Sequence, residues 1–125
     1  MDASPVFRHA GISYLHIPAT DPQQSARFYE ACFGWKIGGT AEDPSFEDGT
    51  GHVIGHWVTD LTPVGAAGVI PYVYVDGVDD ILVKVRANGG TVERDPYPEG
   101  DLLVTTFRDP AGNVGGAWQR EDRTT

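Results

Sequence analysis

At 125 residues, with 40% hydrophobic and 22% charged residues, the chain has the size and composition of one ordinary globular domain. Its formal net charge of -9 and isoelectric point of about 4.6 disfavour contact with phosphate backbones and anionic lipid, so we expect neither a nucleic-acid nor a membrane partner. Cys32 is the single cysteine, which excludes an intrachain disulfide and zinc sites built on Cys-x-x-Cys pairs. No secretory signal and no apolar stretch of the ~20 residues that span a bilayer is visible, which predicts a cytoplasmic protein.

The first half of the chain predicts a strand, a helix and three further strands. Along the first strand, Tyr14 and His16 alternate with aliphatic residues, so these two side chains share one face. Thr20 or Asp21 caps the helix, and Gly34 stands where a left-handed residue would end it. The predicted ranges are 12–17 for the first strand, 23–33 for the helix, and 35–38, 45–47 and 52–59 for the later strands.

The second half repeats this plan after a linker rich in glycine and alanine. Tyr72 and Tyr74 alternate with valines along its first strand. Asp76 and Asp79 suit the start of its helix, where they place negative charge at the positive end of the helix dipole, and Gly89 follows the helix end. The predicted ranges are 62–68 for the linker, 71–75 for the strand, 91–94, 102–107 and 114–118 for the later strands, and 95–100 for a loop, with flexible ends at 1–9 and 121–125.

The two halves therefore form an internal repeat. Three pairs of similar residues stand 55 positions apart: Asp21 and Asp76, Gly34 and Gly89, and Ile37 and Val92. The sequence predicts an α+β fold of two βαβββ modules. Because each module has one helix, only one face of each sheet is covered, and Tyr14, His16, Tyr72 and Tyr74 point to the opposite, concave side.

Several short motifs, taken in order, resemble a known superfamily. They are Ile-Pro-Ala-Thr-Asp at 17–21, Ala-Arg-Phe-Tyr at 26–29, Phe-Gly-Trp at 33–35, Tyr72 to Asp76, the Gly89-Gly90 pair, and Asp-Pro-Ala-Gly-Asn at 109–113. This pattern resembles the glyoxalase, bleomycin-resistance and extradiol-dioxygenase (vicinal oxygen chelate) superfamily. The resemblance implies one domain over 10–120, with modules at 10–61 and 69–119 forming a partly open, barrel-like sheet around a central cleft. It also implies a homodimer.

Metal-dependent members of that superfamily carry one ligand on the first and one on the last strand of each module. By the resemblance, these four positions fall on Tyr14, at or near Gly55, on Ile70 and on Gly116. This set does not suit a divalent metal, so no cofactor is expected. A rearranged metal site using His16 with His56 or Glu47 stays open as an alternative, whereas a His52–His56 pair on an extended strand spans ~13 Å, too far for one ion.

The remaining candidates are the side chains expected to line the cleft. His16 and Tyr14 are the candidate acid–base pair, since imidazole titrates near neutral pH. The ligand-binding set is Tyr14, His16, Trp57, Tyr72, Tyr74 and Trp118, whose alternative role is to fill the core. Arg27, Arg86 and Arg94 are interpreted as surface charge.

Three functions follow from these residues. The first is metal-free binding of a small organic molecule, as the bleomycin-resistance members do. The second is a metal-independent lyase or isomerase that uses His16 and Tyr14. The third is an interaction module whose cleft is sealed by the aromatic side chains and holds no ligand.

Overall fold

In a computed structural model of the chain, which describes residues 6–63 and 68–120, each half contains four strands and one helix. The first half has β1 (Tyr14–Pro18), α1 (Pro22–Phe33), β2 (Lys36–Gly39), β3 (Pro44–Glu47) and β4 (Ile54–Val58). The second half has β5 (Tyr72–Tyr74), α2 (Val78–Ala87), β6 (Thr91–Glu99), β7 (Leu102–Arg108) and β8 (Val114–Arg120). The predicted linker and flexible ends lie partly outside the described residues.

The chain divides into two compact units, residues 1–63 (unit one) and 64–125 (unit two). Each described sheet has four strands and mixed pairing, in the orders β1-β4-β3-β2 and β5-β8-β7-β6. The first strand of each unit pairs in parallel with the last, and the other pairs are antiparallel. This confirms the predicted α+β fold of two βαβββ modules. Within the described residues, neither helix has the length and apolar character needed to cross a membrane.

The ends of α1 follow directly from its sequence. Asp21 is the N-cap: its carboxylate accepts a hydrogen bond from the backbone N–H of Gln24 at 3.3 Å. Pro22 occupies the first turn, where a missing N–H costs nothing. Gly34 ends the helix in the left-handed region, at φ 71°, and its N–H donates to the Glu30 carbonyl. The predicted helix and both of its end signals are confirmed.

The core of unit one is an aromatic cluster between α1 and the sheet. The ring of Phe46 lies 4.8 Å from Trp57 and 4.7 Å from Trp35, and Trp35 stacks on Tyr29 of α1. Trp57 is only 1% exposed, and its indole N–H has no hydrogen-bond partner among the described residues. A Cβ at Gly55 would meet the Phe46 ring at 2.6 Å, so only glycine permits this packing.

The start of α2 agrees in part with the sequence prediction. Asp79 lies in the first turn, where its negative charge was expected, whereas Asp76 precedes the N-cap residue Gly77, which has no side-chain capping bond. The side-chain oxygen of Gln119, on β8, instead accepts the hydrogen bond of the Val78 N–H at 2.8 Å. A long-range contact therefore satisfies the helix end, which a local capping pattern cannot reveal.

The predicted loop at 95–100 is wrong for most of its length, because β6 continues to Glu99. Prolines at 96 and 98 indicated a loop, since proline cannot donate to a sheet ladder. However, β6 is an edge strand, and its register against β7 shifts twice, between Val92 and Arg94 and between Arg94 and Tyr97. Edge strands and bulges are the places where a sheet tolerates proline.

Replacing the central tryptophan of unit one tests this core. We expect Trp57→Ala to lower the free energy of unfolding by about 3–5 kcal/mol, because a large buried side chain leaves a cavity. Chemical denaturation followed by circular dichroism measures the change. The control is Val83→Ala on the exposed side of α2, where the side chain is 63% exposed and a change within about 0.5 kcal/mol is expected. A loss below about 1 kcal/mol for Trp57→Ala would contradict the assigned core.

Candidate functional site

The face of the unit-one sheet that points away from α1 brings together a phenol and an imidazole. Tyr14 and His16 lie two residues apart on β1, so their side chains project from the same face. The Tyr14 hydroxyl and His16 Nε2 are 3.1 Å apart, within hydrogen-bond distance, and the rings meet edge to face with centroids 5.0 Å apart. Tyr14 remains 51% exposed. The sequence-predicted pair is thus in contact and accessible to solvent.

A second histidine joins this face from β4. His56 pairs in register with His16, and its ring centroid lies 6.2 Å from that of Tyr14. Its Nδ1 lies 3.1 Å from the Asp43 carboxylate. A carboxylate at one imidazole nitrogen fixes the orientation of the ring and leaves Nε2 free to act on a bound molecule. We call these four side chains, Tyr14, His16, His56 and Asp43, the unit-one site.

A tight turn holds Asp43 in place. The backbone N–H and C=O of Asp43 exchange hydrogen bonds with Thr40, and the Thr40 hydroxyl accepts a further bond from the Asp43 N–H. Gly39, just before the turn, has φ 75°, and a Cβ there would lie 2.4 Å from the Asp43 carbonyl oxygen. Glycine at this position therefore permits the turn that places the carboxylate beside His56.

The corresponding face of unit two carries three of the predicted aromatic residues. Tyr72 and Tyr74 on β5 pair with Gly116 and Trp118 on β8. The rings of Tyr74 and Trp118 meet edge to face at 4.8 Å. The Tyr72 ring lies over Gly116, where an added Cβ would come within 2.3 Å of two ring carbons. We call this aromatic surface of Tyr72, Tyr74 and Trp118 the unit-two site.

The edge strand β6 contributes charge to the same surface. The guanidinium carbon of Arg94 lies 3.5 Å from the centroid of the Tyr97 ring. Partial burial raises the pKa of the Tyr72 hydroxyl, Tyr97 and Glu99 act in the same direction, and Arg94 opposes them. The shift is upward from an ordinary value of 10.0, so Tyr72 stays a neutral phenol at physiological pH.

The structure separates one predicted residue from these sites. Trp57 is buried on the other face of its sheet, in the aromatic core, and so does not lie beside Tyr14 and His16. Conversely, the sequence prediction included His56 only in the alternative metal site with His16, interpreted Arg94 as surface charge, and did not consider Asp43 or Tyr97. Ser45 on β3 pairs with His56 on β4, so Asp43, two residues before Ser45, lies near the imidazole. This pairing is the information that would have identified Asp43.

Equivalent hydrogen bonds align the two units and locate the family's ligand positions. In unit one the Ala19 N–H donates to the Val58 carbonyl, and in unit two the Val75 N–H donates to the Trp118 carbonyl. Because these two hydrogen bonds are equivalent, the strand pair His16–His56 is the counterpart of the pair Tyr72–Gly116. The position expected at or near Gly55 therefore falls on His56, since Gly55 faces the core.

The residues at the family's metal positions do not fit a divalent ion. Besides His56 they are Tyr14, Ile70 and Gly116, and the Tyr72 ring occupies the space above Gly116. Within residues 6–63 and 68–120, no group of three or more His, Cys, Asp or Glu side chains is arranged to hold a metal ion. Two adjacent histidines alone fall short of the three protein ligands that catalytic metal sites commonly use.

The duplicated βαβββ plan, with one helix on each sheet, defines a two-module α+β protein. The model of the Glyoxalase/Bleomycin resistance protein/Dioxygenase superfamily matches residues 11–114, and the chain belongs to this superfamily. It is 33% identical over 116 residues to a glyoxylase-like domain-containing protein of Didymella fabae, covering 85% of this chain and 91% of that protein. It is 27% identical over 123 residues to "Putative glyoxylase CFP32" of Mycobacterium bovis, covering 90% of this chain. The chain spans about half of that relative, 47% of its length.

Solved structures show the same fold. A glyoxalase/bleomycin resistance protein/dioxygenase family enzyme from Burkholderia phytofirmans matches with a TM-score of 0.75 and 18% identity, over 89% of this chain and 99% of that one. TnmS3, an antibiotic binding protein from a Streptomyces species, matches with a TM-score of 0.69 and 19% identity, over 89% and 96% of the two chains. At these identities the likeness concerns the fold alone.

A substitution at Gly116 tests the packing of Tyr72. We expect Gly116→Ala to lower the free energy of unfolding by about 1–3 kcal/mol, because the new methyl group overlaps the Tyr72 ring and forces it away. Adding Tyr72→Ala in the same chain removes the clash, so the double variant should lose less than the sum of the two single variants. Thermal and chemical denaturation measure both effects. Additive losses would show that the ring does not lie over Gly116.

Proposed function

We propose that this protein binds a small organic molecule through the aromatic side chains of its helix-free sheet faces, without the divalent metal used by other members of its superfamily. The observation that carries the proposal is the exposure of Tyr14, Tyr72 and Tyr74, which are 51%, 42% and 48% accessible although each lies on a strand. Flat side chains with an apolar body and a polar tip suit a planar ligand that is partly hydrophobic.

Two further observations support this proposal. The four family ligand positions hold one histidine, one tyrosine and two residues without donor atoms, which disfavours metal-assisted chemistry. A protein of the same fold, TnmS3, is named as an antibiotic binding protein. That likeness is an analogy at the level of the fold, and it supports binding as a class of function rather than any particular ligand. A cytoplasmic location and a homodimer remain predictions from the sequence.

The binding proposal predicts a loss of affinity when the aromatic surface is trimmed. Planar aromatic compounds, including polycyclic antibiotics, would be screened by thermal shift, and the best ligand titrated by calorimetry. Tyr74→Ala should weaken its affinity about fivefold or more, since one aromatic contact contributes on the order of 1 kcal/mol. The control Val83→Ala, on the far side of α2, should leave affinity unchanged.

Metal analysis of the same sample tests whether binding is independent of a divalent metal. We expect the affinity to be unchanged by a chelator, and substoichiometric amounts of divalent metal in the purified protein. One tightly bound divalent ion per chain would overturn the metal-free part of the proposal. Full affinity in the Tyr74→Ala protein would overturn the assignment of the unit-two site.

The second candidate is a metal-independent lyase or isomerase that uses His16 and Tyr14. The observation that favours it is the 3.1 Å contact between His16 Nε2 and the Tyr14 hydroxyl, beside a His56 oriented by Asp43. An imidazole can remove a proton from carbon next to a carbonyl, while a phenol donates a hydrogen bond to the oxygen on which negative charge develops. Which nitrogen of each imidazole carries the proton depends on its tautomer.

The catalytic candidate predicts a specific kinetic pattern for an identified substrate. His16→Ala should lower kcat by about 100-fold or more with little change in KM, because a general acid–base group acts chiefly in the transition state. Tyr14→Phe should lower kcat in the same way, whereas His52→Ala, in the hairpin turn, should be neutral. A His16→Ala protein with full turnover would exclude this assignment.

A further inference from the structure

The edge strand β6 places two side chains on one face that regular strand geometry would separate. Arg94 and Tyr97 are three residues apart, and an odd spacing puts side chains on opposite faces of a regular strand. Their partners on β7, Thr106 and Val104, are only two residues apart and so share a face. The extra residue of a β-bulge therefore turns Arg94 and Tyr97 to the same side.

A buried hydroxyl holds this bulge in place. Thr105, which has no exposed surface, donates a 2.6 Å hydrogen bond from Oγ1 to the backbone carbonyl of Arg94. The bond gives the Arg94 carbonyl a partner at the point where the register against β7 shifts. Thr105 thus holds the Arg94 backbone from the helix-covered face of the sheet, while the Arg94 side chain lies over Tyr97 on the opposite face.

Within the described part of the chain, no carboxylate forms an ion pair with Arg94. The pairs Lys36–Glu47, His56–Asp43 and Arg108–Glu93 lie within 4.0 Å, and none of them includes Arg94. Arg108, on the adjacent strand, has its partner, whereas Arg94 lies against an aromatic face. The guanidinium edges remain available as donors, because contact with a ring uses the flat face of the group.

Both Arg94 and Tyr97 act on Tyr72. Strand pairing aligns them with the unit-two site, because Arg94 pairs with Thr106 and Thr106 with Gly116, while Tyr97 pairs with Val104 and Val104 with Trp118. In keeping with this register, Arg94 lowers the pKa of the Tyr72 hydroxyl and Tyr97 raises it. Glu99 is the negative group near Tyr72 and acts against an incoming anion. The surface therefore combines aromatic side chains, one exposed cation stacked on Tyr97 at its edge, and one opposing carboxylate.

We propose that Arg94, positioned over Tyr97 by the β6 bulge, binds the carboxylate of a planar aromatic acid whose ring lies on the unit-two site. This inference rests on the proposed binding function and adds the chemical class of the ligand. A guanidinium donates two parallel hydrogen bonds to a carboxylate, and this geometry distinguishes an acid from its neutral amide.

A matched pair of probes tests this assignment on the full-length protein. The probes are 2-naphthoate and its uncharged counterpart 2-naphthamide, titrated while backbone amide NMR signals report the site of binding. We expect 2-naphthoate to bind about tenfold more tightly than 2-naphthamide, with the largest shifts in β5, β6 and β8. Arg94→Gln should abolish this preference and leave the affinity for 2-naphthamide unchanged.

The control variant removes the same charge elsewhere. Arg86→Gln, at the exposed end of α2, changes the net charge equally and should retain the tenfold preference. Glu99→Gln should strengthen binding of 2-naphthoate only. Melting temperatures of the three variants establish that each is folded.

The possible failures are distinguishable. Equal binding of both probes at the unit-two site would overturn the role of Arg94 and leave the proposed binding function in place. A preference for 2-naphthoate that survives in Arg94→Gln, or that disappears equally in Arg86→Gln, would also overturn it. If neither probe shifts unit-two signals at millimolar concentration, both the role of Arg94 and aromatic binding at this surface are overturned.

Discussion

The structure depends on one constraint: each four-stranded sheet has a single helix, and this helix covers only one of the two faces of the sheet. α1 closes over Phe46 and Trp57, and α2 closes over Phe107 and Ala117, all of them almost fully buried. Because side chains alternate along a strand, the residues between these buried ones project to the other face. The largest side chains packed under each helix are therefore separated by parity from those that can meet a ligand, although Val104 and Thr106 are buried on the helix-free face of unit two. A substitution on the helix-free face can change chemistry without removing the core.

This alternation explains which parts of the molecule could be predicted. The period of two on the opening strands was enough to place Tyr14 beside His16, and the local signals Asp21 and Gly34 were enough to bound α1. The contact between Asp43 and His56 depends instead on the register between β3 and β4, which no local pattern encodes. In β6, prolines predicted a loop, but an edge position and two register shifts allow them in a strand. Long-range pairing, rather than local propensity, decided each difference.

The duplicated backbone also shows how one change in side-chain size alters a site. Unit one has His56 opposite His16, and unit two has Gly116 opposite Tyr72. Without a side chain at position 116, the Tyr72 ring fills the space above the strand and becomes part of an aromatic surface. Two imidazoles in the first unit provide proton donors and acceptors, whereas rings and a guanidinium in the second provide stacking and anion recognition. The repeat therefore fixes the backbone and leaves the chemistry of each face to a few positions.

Overall charge and local charge have different effects on what such a face can bind. The net charge of -9 disfavours the approach of anions, but that repulsion is screened over about 8 Å at physiological ionic strength. At contact, a guanidinium and a carboxylate about 4 Å apart interact by roughly 4 kcal/mol near a protein surface, before desolvation is counted. Arg94 is held on Tyr97, and its backbone carbonyl is held by Thr105, so little ordering is needed when a ligand arrives. An acidic protein can therefore select an acidic ligand, provided that one cation is fixed where the ligand's ring is already bound.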